Sequence, residues 1–216
     1  MEINIVDHEL PNDSHNYYDV YFYDDRVNTL VTHDPDVLSN WLFRLQKIHG
    51  QRLGNLIVGL DVEWRPNFNR NQDNPIATLQ LCVGRRCVVF QILHCSRECQ
   101  IPDDLKYFLA EPDFTFVGVG IAGDVEKLAY DYGLSVGGRI VDLRDLAADR
   151  YGNKAFKNVG LKDLASAVLG RVVEKPKSVT MGRWDNRWLT PLQVQYACVD
   201  AFASFEIGRS LEADDY

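Results

Sequence analysis

Asp61 and Glu63 stand one residue apart at the end of an apolar run, Leu56-Ile57-Val58-Gly59-Leu60. A short, branched run of that kind predicts a buried strand. Side chains alternate along a strand, so both carboxylates point to one face and Val62 to the other. Two like charges on one face of a buried strand repel each other and resist desolvation unless a cation lies between them. An all-oxygen donor set favours a hard ion, magnesium or manganese. The ends of strands in α/β sheets are also where ligand sites collect. The plainer alternative is a solvated strand edge or a salt-bridge partner. Towards the other end of the chain, Tyr196 and Asp200 lie four residues apart in a stretch (192–205) whose apolar residues recur at helical spacing. That spacing stacks them on one helical face, where the carboxylate could hold an ion and the phenol a water beside it. The alternative is a core tyrosine and a surface aspartate.

Between the two lies Gly118-Val119-Gly120-Ile121-Ala122-Gly123-Asp124, after a strand-like run and before a helical pattern. It spells G-x-G-x-x-G, and Asp142 ends the next strand-like run, so a dinucleotide site has to be weighed. Asp124 would then stand in the first helical turn and repel the pyrophosphate that belongs there. Too little chain follows for the rest of a cofactor domain and a substrate domain. Asp61, Glu63, Tyr196 and Asp200 would be left without a role. The same glycines can instead turn the backbone tightly and deliver Asp124 to a metal cluster.

Taken together, these segments resemble the DEDD superfamily of 3′–5′ exonucleases in its tyrosine-containing branch, which includes ribonuclease D and Werner-syndrome-type exonuclease domains. The three family motifs match Asp61-Val62-Glu63, Gly120-Ile121-Ala122-Gly123-Asp124 and Tyr196-Ala197-Cys198-Val199-Asp200. Trp184, Leu189-Thr190-Pro191-Leu192 and Gln195 extend the likeness, and Gln195 stands where the sister branch has histidine. The Asp-Val-Glu-Trp-Arg-Pro-Asn run looks especially like plant Werner-like members. One departure is Gly120, where the second motif often opens on Asn. The resemblance implies hydrolysis from the 3′ end of DNA or RNA, releasing nucleoside 5′-monophosphates with two Mg²⁺ or Mn²⁺ ions. Asp61, Glu63 and Asp200 would hold the first ion, Asp61 would bridge to the second with Asp124, and Tyr196 would orient the attacking water. Val62, Trp64, Arg65, Gly120, Arg183 and Trp184 are the expected substrate contacts. Nucleic acid is the expected partner, and the relatives leave a homo-oligomer open. The rival from another class is a non-catalytic nucleic-acid or protein-binding module on the same fold, which would not require this set of residues.

The net charge of −8 looks wrong for a nuclease until it is divided along the chain. Residues 1–25 contain seven carboxylates and no lysine or arginine, and residues 212–216 add three more, leaving +2 over residues 26–211. A mildly basic catalytic region suits short-range capture of a chain end. Candidate phosphate contacts are Arg65, Arg70, Lys127, Lys154, Lys157, Lys162, Lys177 and Arg183, although ordinary solvated surface explains most of them. Trp64 could stack on a terminal base, an interaction worth about 1–3 kcal/mol, but strict alternation turns it away from Glu63. The absence of an eighteen-residue apolar run and of a basic, hydrophobic lead points to an intracellular protein of the nucleus or cytoplasm, with no membrane. Five scattered cysteines, an odd number, suit a reducing compartment.

The elements that must position these residues follow from pattern. Residues 1–16 read as an acidic flexible lead, 17–211 as one catalytic domain and 212–216 as an acidic tail. A hairpin is expected over 18–23 and 27–32. A helix capped by Asp34 should run through Leu38, Leu42, Leu45 and Ile48 to Gly50. Strands follow at 55–62, 76–83, 86–93, 114–119 and 139–142, with helices at 103–110, 123–132, 143–151 and 161–169. A loop at 171–183 leads to a last helix capped by Thr190 with Pro191 behind it. Three strands followed by alternating helix and strand is the order of an α/β, ribonuclease-H-like mixed five-stranded sheet flanked by helices, with a small N-terminal β-hairpin extension.

Overall fold

The computed structural model describes residues 4–11, 13–50, 53–69 and 71–216. The strands are β1 (Asn4–Asp7), β2 (His15–Phe22), β3 (Asp25–Thr32), β4 (Leu56–Trp64), β5 (Ile76–Val83), β6 (Arg86–Phe90), β7 (Phe114–Gly118) and β8 (Arg139–Asp142). The helices are α1 (Pro35–Ile48), α2 (Ile92–Glu98), α3 (Asp103–Ala110), α4 (Ile121–Tyr132), α5 (Leu143–Arg150), α6 (Leu161–Leu164), α7 (Lys177–Thr180) and α8 (Pro191–Ser210). All eight strands join one sheet in the order β1-β2-β3-β6-β5-β4-β7-β8. The expected five-stranded mixed sheet is β4 to β8. The N-terminal strands extend it through a parallel β3–β6 pairing.

Three expectations are corrected. The acidic lead contains β1, which pairs Asp7 with Tyr18 and Asn4 with Tyr21, so backbone pairing orders part of a segment that composition marks as flexible. The strand expected to run to residue 93 stops at Phe90. Residues 92–98 wind into α2, with Ile92, Leu93 and Cys95 buried on one side. Ile48 lies at the exposed end of α1, whose buried stripe is Leu38, Trp41, Leu42 and Leu45. The acidic tail is docked as well: Arg139 donates to the main-chain oxygens of Asp214 and Tyr216 at 2.7 and 3.0 Å.

The caps follow the sequence signals. Asp34 accepts from the amides of Asp36 and Val37 at the start of α1. Thr190 and Gln193 exchange side chain and main chain in a capping box at the start of α8. α8 is buried around most of its circumference and lies directly on β4. Gly59 makes that approach possible, because a Cβ there would sit 2.1 Å from the Ala201 carbonyl oxygen and 2.9 Å from the Phe205 nitrogen. Residues 57, 59, 61 and 63 share a face of β4. Asp61 and Glu63 therefore lie on the same face of β4 as the glycine that admits α8. Among the described residues no helix is long and apolar enough to cross a membrane.

Candidate active site

β4 is a central strand, antiparallel to β5 and parallel to β7, and its last residues emerge at the sheet edge where β7 gives way to α4. Asp200, one turn beyond Tyr196 on α8, meets them there. Among the described residues, Asp61, Glu63 and Asp200 form a group whose oxygens lie within 4.8 Å of one another. Asp61 Oδ2 and Asp200 Oδ1 are buried without a hydrogen-bond partner. A buried carboxylate oxygen with no donor is costly, and two of them facing one cluster fit a cation between them. The donor set is entirely oxygen, as a hard divalent ion requires.

Electrostatics carry the same message. Burial, and then the charges of Asp200 and Asp124, hold the Asp61 carboxyl well above the ordinary carboxylate range. Burial, then Asp61 and Asp200, push Glu63 up to about 10. Asp200 is raised by burial and partly relieved by Lys175. Without metal, Asp61 and Glu63 resist ionisation, while Asp200 is paired with Lys175 at 2.6 Å.

Asp124 occupies the first turn of α4. It lines a cleft of about 440 Å³ together with Asp61, Glu63, Trp64 and Thr180. It lies outside the tight trio, and burial followed by the charge of Asp142 raises it to about 7. Gly120 precedes α4 with φ +75°, ψ 19°, a left-handed conformation that suits glycine. Its amide donates to Asp142 at 3.0 Å. Asp142 also caps α5 and pairs with Arg144 at 2.6 Å. The carboxylate that a dinucleotide reading assigns to a ribose is thus committed to the turn beside it.

The Tyr196 ring packs 6.0 Å from that of Trp184. Burial, then Asp200, Glu63 and Asp61, push its phenol far above the ordinary range. It keeps its proton, so it can orient a water but is a poor base.

The expected substrate contacts divide. Trp184 is corrected: at 0% exposure it is a core residue under Tyr196 and has no surface to offer a ligand. The Val62 side chain is likewise buried, at 4%. Trp64 is half-buried, at the point where the β4–β5 pairing shifts register with Ala77 as the extra residue on β5. The tryptophan borders the cleft, with the Lys127 ammonium 5.5 Å from its ring centre. Arg65 and Arg183 converge on Asp185, at 3.4 and 2.8 Å. Lys127 pairs with Asp73 and Asp131, and Lys157 with Asp145. Lys154, Lys162 and Lys177 are exposed, and Arg70 lies outside the described residues.

Sequence reasoning missed Lys175 and Asp185. Lys175 Nζ is 2.6 Å from Asp200 Oδ2 and 3.2 Å from the Tyr196 hydroxyl. Lys175 lies in the irregular 171–183 segment and Asp185 just beyond it, where no periodicity marks a position, and only the excess of buried carboxylates hinted that a cation must come from somewhere.

Comparison with known proteins agrees with this geometry. A family model described as 3′–5′ exonuclease matches residues 31–214. A 3′–5′ exonuclease of Arabidopsis thaliana is 36% identical over 161 residues, covering 74% of this chain and 54% of that protein. The mouse bifunctional 3′–5′ exonuclease/ATP-dependent helicase WRN is 34% identical over 156 residues, 72% of this chain and 11% of that protein. The chain therefore spans about half or less of these curated relatives. The crystal structure of Escherichia coli RNase D superposes with a TM-score of 0.67 at 20% identity, covering 85% of this chain and 44% of that one, which establishes the fold. The EXD2 exonuclease domain soaked in Mg superposes with a TM-score of 0.50 at 27% identity, covering 86% and 89%. With the family model covering most of its length and the acidic trio in place, the chain belongs to the 3′–5′ exonuclease family.

Proposed function

We propose that this chain hydrolyses phosphodiester bonds at the 3′ end of DNA or RNA and releases nucleoside 5′-monophosphates. The observation that carries the reading is the pair of orphaned buried oxygens, Asp61 Oδ2 and Asp200 Oδ1, facing a three-carboxylate cluster. Asp61, Glu63 and Asp200 would hold one divalent ion, Mg²⁺ or Mn²⁺, and Asp61 with Asp124 a second. Such ions, when bound, supply positive charge to the attacking and leaving oxygens of an in-line displacement.

The chain's own residues do the rest. Tyr196, protonated and fixed by its packing on Trp184, presents its hydroxyl beside Asp200 to orient the attacking water. Trp64, at the border of the cleft, offers a face on which the terminal base can stack. Arg65 keeps a buried Nε without a partner, and with Arg183 it can exchange Asp185 for a substrate phosphate. Gly120 shapes the turn that delivers Asp124, and Val62, although nearly buried, lines the same cleft. The free cysteines suit a reducing compartment.

The test is degradation of 3′-labelled and 5′-labelled DNA and RNA in Mg²⁺, Mn²⁺ or EDTA, wild type beside Asp61→Ala. A ladder that shortens from the 3′ end, needs metal and vanishes in the variant is expected, and it identifies the polymer. Nucleic acid retained by the protein with no metal-dependent cleavage would instead favour a binding module.

A further inference from the structure

Lys175 puts a cation against the acidic cluster from a segment with no regular secondary structure. Its ammonium bonds Asp200 Oδ2 at 2.6 Å and the Tyr196 hydroxyl at 3.2 Å, and lies 5.3 Å from the Tyr196 ring centre. It thereby touches the two residues that α8 contributes to the site. The 2.6 Å contact with Asp200 is an ion pair.

One monovalent cation on one edge of Asp200 leaves the cluster unbalanced. Asp200 Oδ1 and Asp61 Oδ2 remain without partners, and Asp61 and Glu63 are not contacted by the lysine in any hydrogen bond. A divalent ion touching all three carboxylates would sit close to the ammonium, and like charges repel strongly in a site shielded from water. An ion taken up by Asp200 Oδ1 therefore competes with the ammonium on Oδ2 for the charge of one carboxylate.

The lysine has somewhere to go. Its side chain is 35% exposed, and its neighbours Glu174 and Pro176 border a cavity of about 560 Å³ that also reaches Tyr196 and Asp200. The backbone need not follow. Arg171 is held by Asp25 at 2.7 Å, the Val172 amide by the Tyr23 hydroxyl at 2.7 Å, and Val173 is buried, while α7 resumes at Lys177. With the main chain held on both sides, only the side-chain torsions of Lys175 are needed for it to leave Asp200.

We propose that Lys175 is an exchangeable internal cation: it pairs with Asp200 and Tyr196 in the metal-free protein and leaves Asp200 when a divalent ion loads. This rests on the reading that Asp61, Glu63 and Asp200 hold such an ion. In the metal-free state the lysine keeps α8's two functional residues in register. In the loaded state its ammonium stands at the rim of the site, where a substrate phosphate arrives.

The experiment uses the full chain at fixed pH. Brief acylation with an amine-reactive ester, read by mass spectrometry, reports the accessibility of Lys175 in EDTA and in Mn²⁺, with Lys47 and Lys154 as internal controls. Calorimetry reports Mn²⁺ affinity for wild type, Lys175→Met and Lys175→Arg. Mn²⁺ is expected to accelerate acylation of Lys175 several-fold and leave the controls unchanged. Lys175→Met should bind Mn²⁺ about tenfold more tightly, because no cation has to be displaced, and should melt lower than wild type in EDTA. Lys175→Arg should stay near wild type in both. Mn²⁺ binding with Lys175 equally protected, and with no gain in affinity for Lys175→Met, would overturn the exchange alone. No Mn²⁺ binding by the wild type would overturn the metal reading and the exchange with it.

Discussion

Replacing Glu63 by Gln should stabilise the metal-free protein at neutral and alkaline pH. Glu63 titrates near about 10 in the fold, against an ordinary value of 4.5, because burial and the neighbouring Asp61 and Asp200 oppose its charge. Between those two values the unfolded chain has released this proton and the folded chain retains it. Stability attached to the group is therefore fully present below about 4.5 and is lost as pH rises, at about 1.4 kcal/mol per pH unit for one proton. By about pH 7 the loss is roughly 3 kcal/mol relative to a group that cannot ionise. Glutamine has the shape of the protonated acid and no such dependence. The difference in unfolding free energy between Glu63→Gln and wild type, measured by urea titration in EDTA, should be near zero at about pH 4.5 and widen steadily to about pH 9. In melting temperature each 1 kcal/mol corresponds to about 2–4 °C for a chain of this size. Saturating Mn²⁺ should reverse the order, since a ligand at 100 times its dissociation constant adds about 2.7 kcal/mol to a protein that binds it, and the variant has lost a ligand oxygen. A difference that stays flat with pH would refute the desolvated, mutually repelling cluster. An equal Mn²⁺ gain in both proteins would remove Glu63 from the ligand set.

Three further outcomes follow from the same geometry. Tyr196→Phe should lower the turnover rate by roughly 100-fold with Mn²⁺ affinity close to wild type in calorimetry, whereas a parallel loss of metal binding would mean that the hydroxyl supports the ligands and not the water. Gly59→Ala should destabilise the fold by roughly 3 kcal/mol in urea, because its Cβ would collide with the α8 backbone at 2.1 Å; an unchanged midpoint would show that α8 does not depend on this approach. Asp124, raised to about 7 by burial and Asp142, must lose its proton to bind a cation. Mn²⁺ affinity should therefore fall as pH drops through that value, with proton release seen when calorimetry is repeated in buffers of different ionisation enthalpy, and affinity flat across that range would exclude Asp124 as a ligand.

Local chemistry was legible in the sequence, and contacts across the chain were not. The apolar run ending in Asp61 and Glu63, the spacing of Tyr196 and Asp200, and the caps at Asp34 and Thr190 are written in neighbouring residues, so strand, helix and helix starts could be read directly. The order of elements gave the mixed sheet, and the three motifs gave its family. Lys175 is different: it reaches Asp200 across 25 positions, from a segment whose composition only says loop. Trp184 shows the same gap, because a tryptophan beside a motif reads equally well as a base platform or as core, and only the α8 packing decides for core. Trp64 meets both readings that alternation left open, since it packs against the core and also borders the cleft. β1 is not marked by pattern because its partner is β2, half of its four residues are polar and three of them are exposed.

A crystal soaked in Mn²⁺ and measured at the manganese absorption edge tests the metal centre directly. An anomalous peak within coordination distance of Asp61, Glu63 and Asp200, a second beside Asp61 and Asp124, and Lys175 turned away from Asp200 are the predicted result. A saturating soak that leaves the trio without a peak and Lys175 still bonded to Asp200 would contradict it.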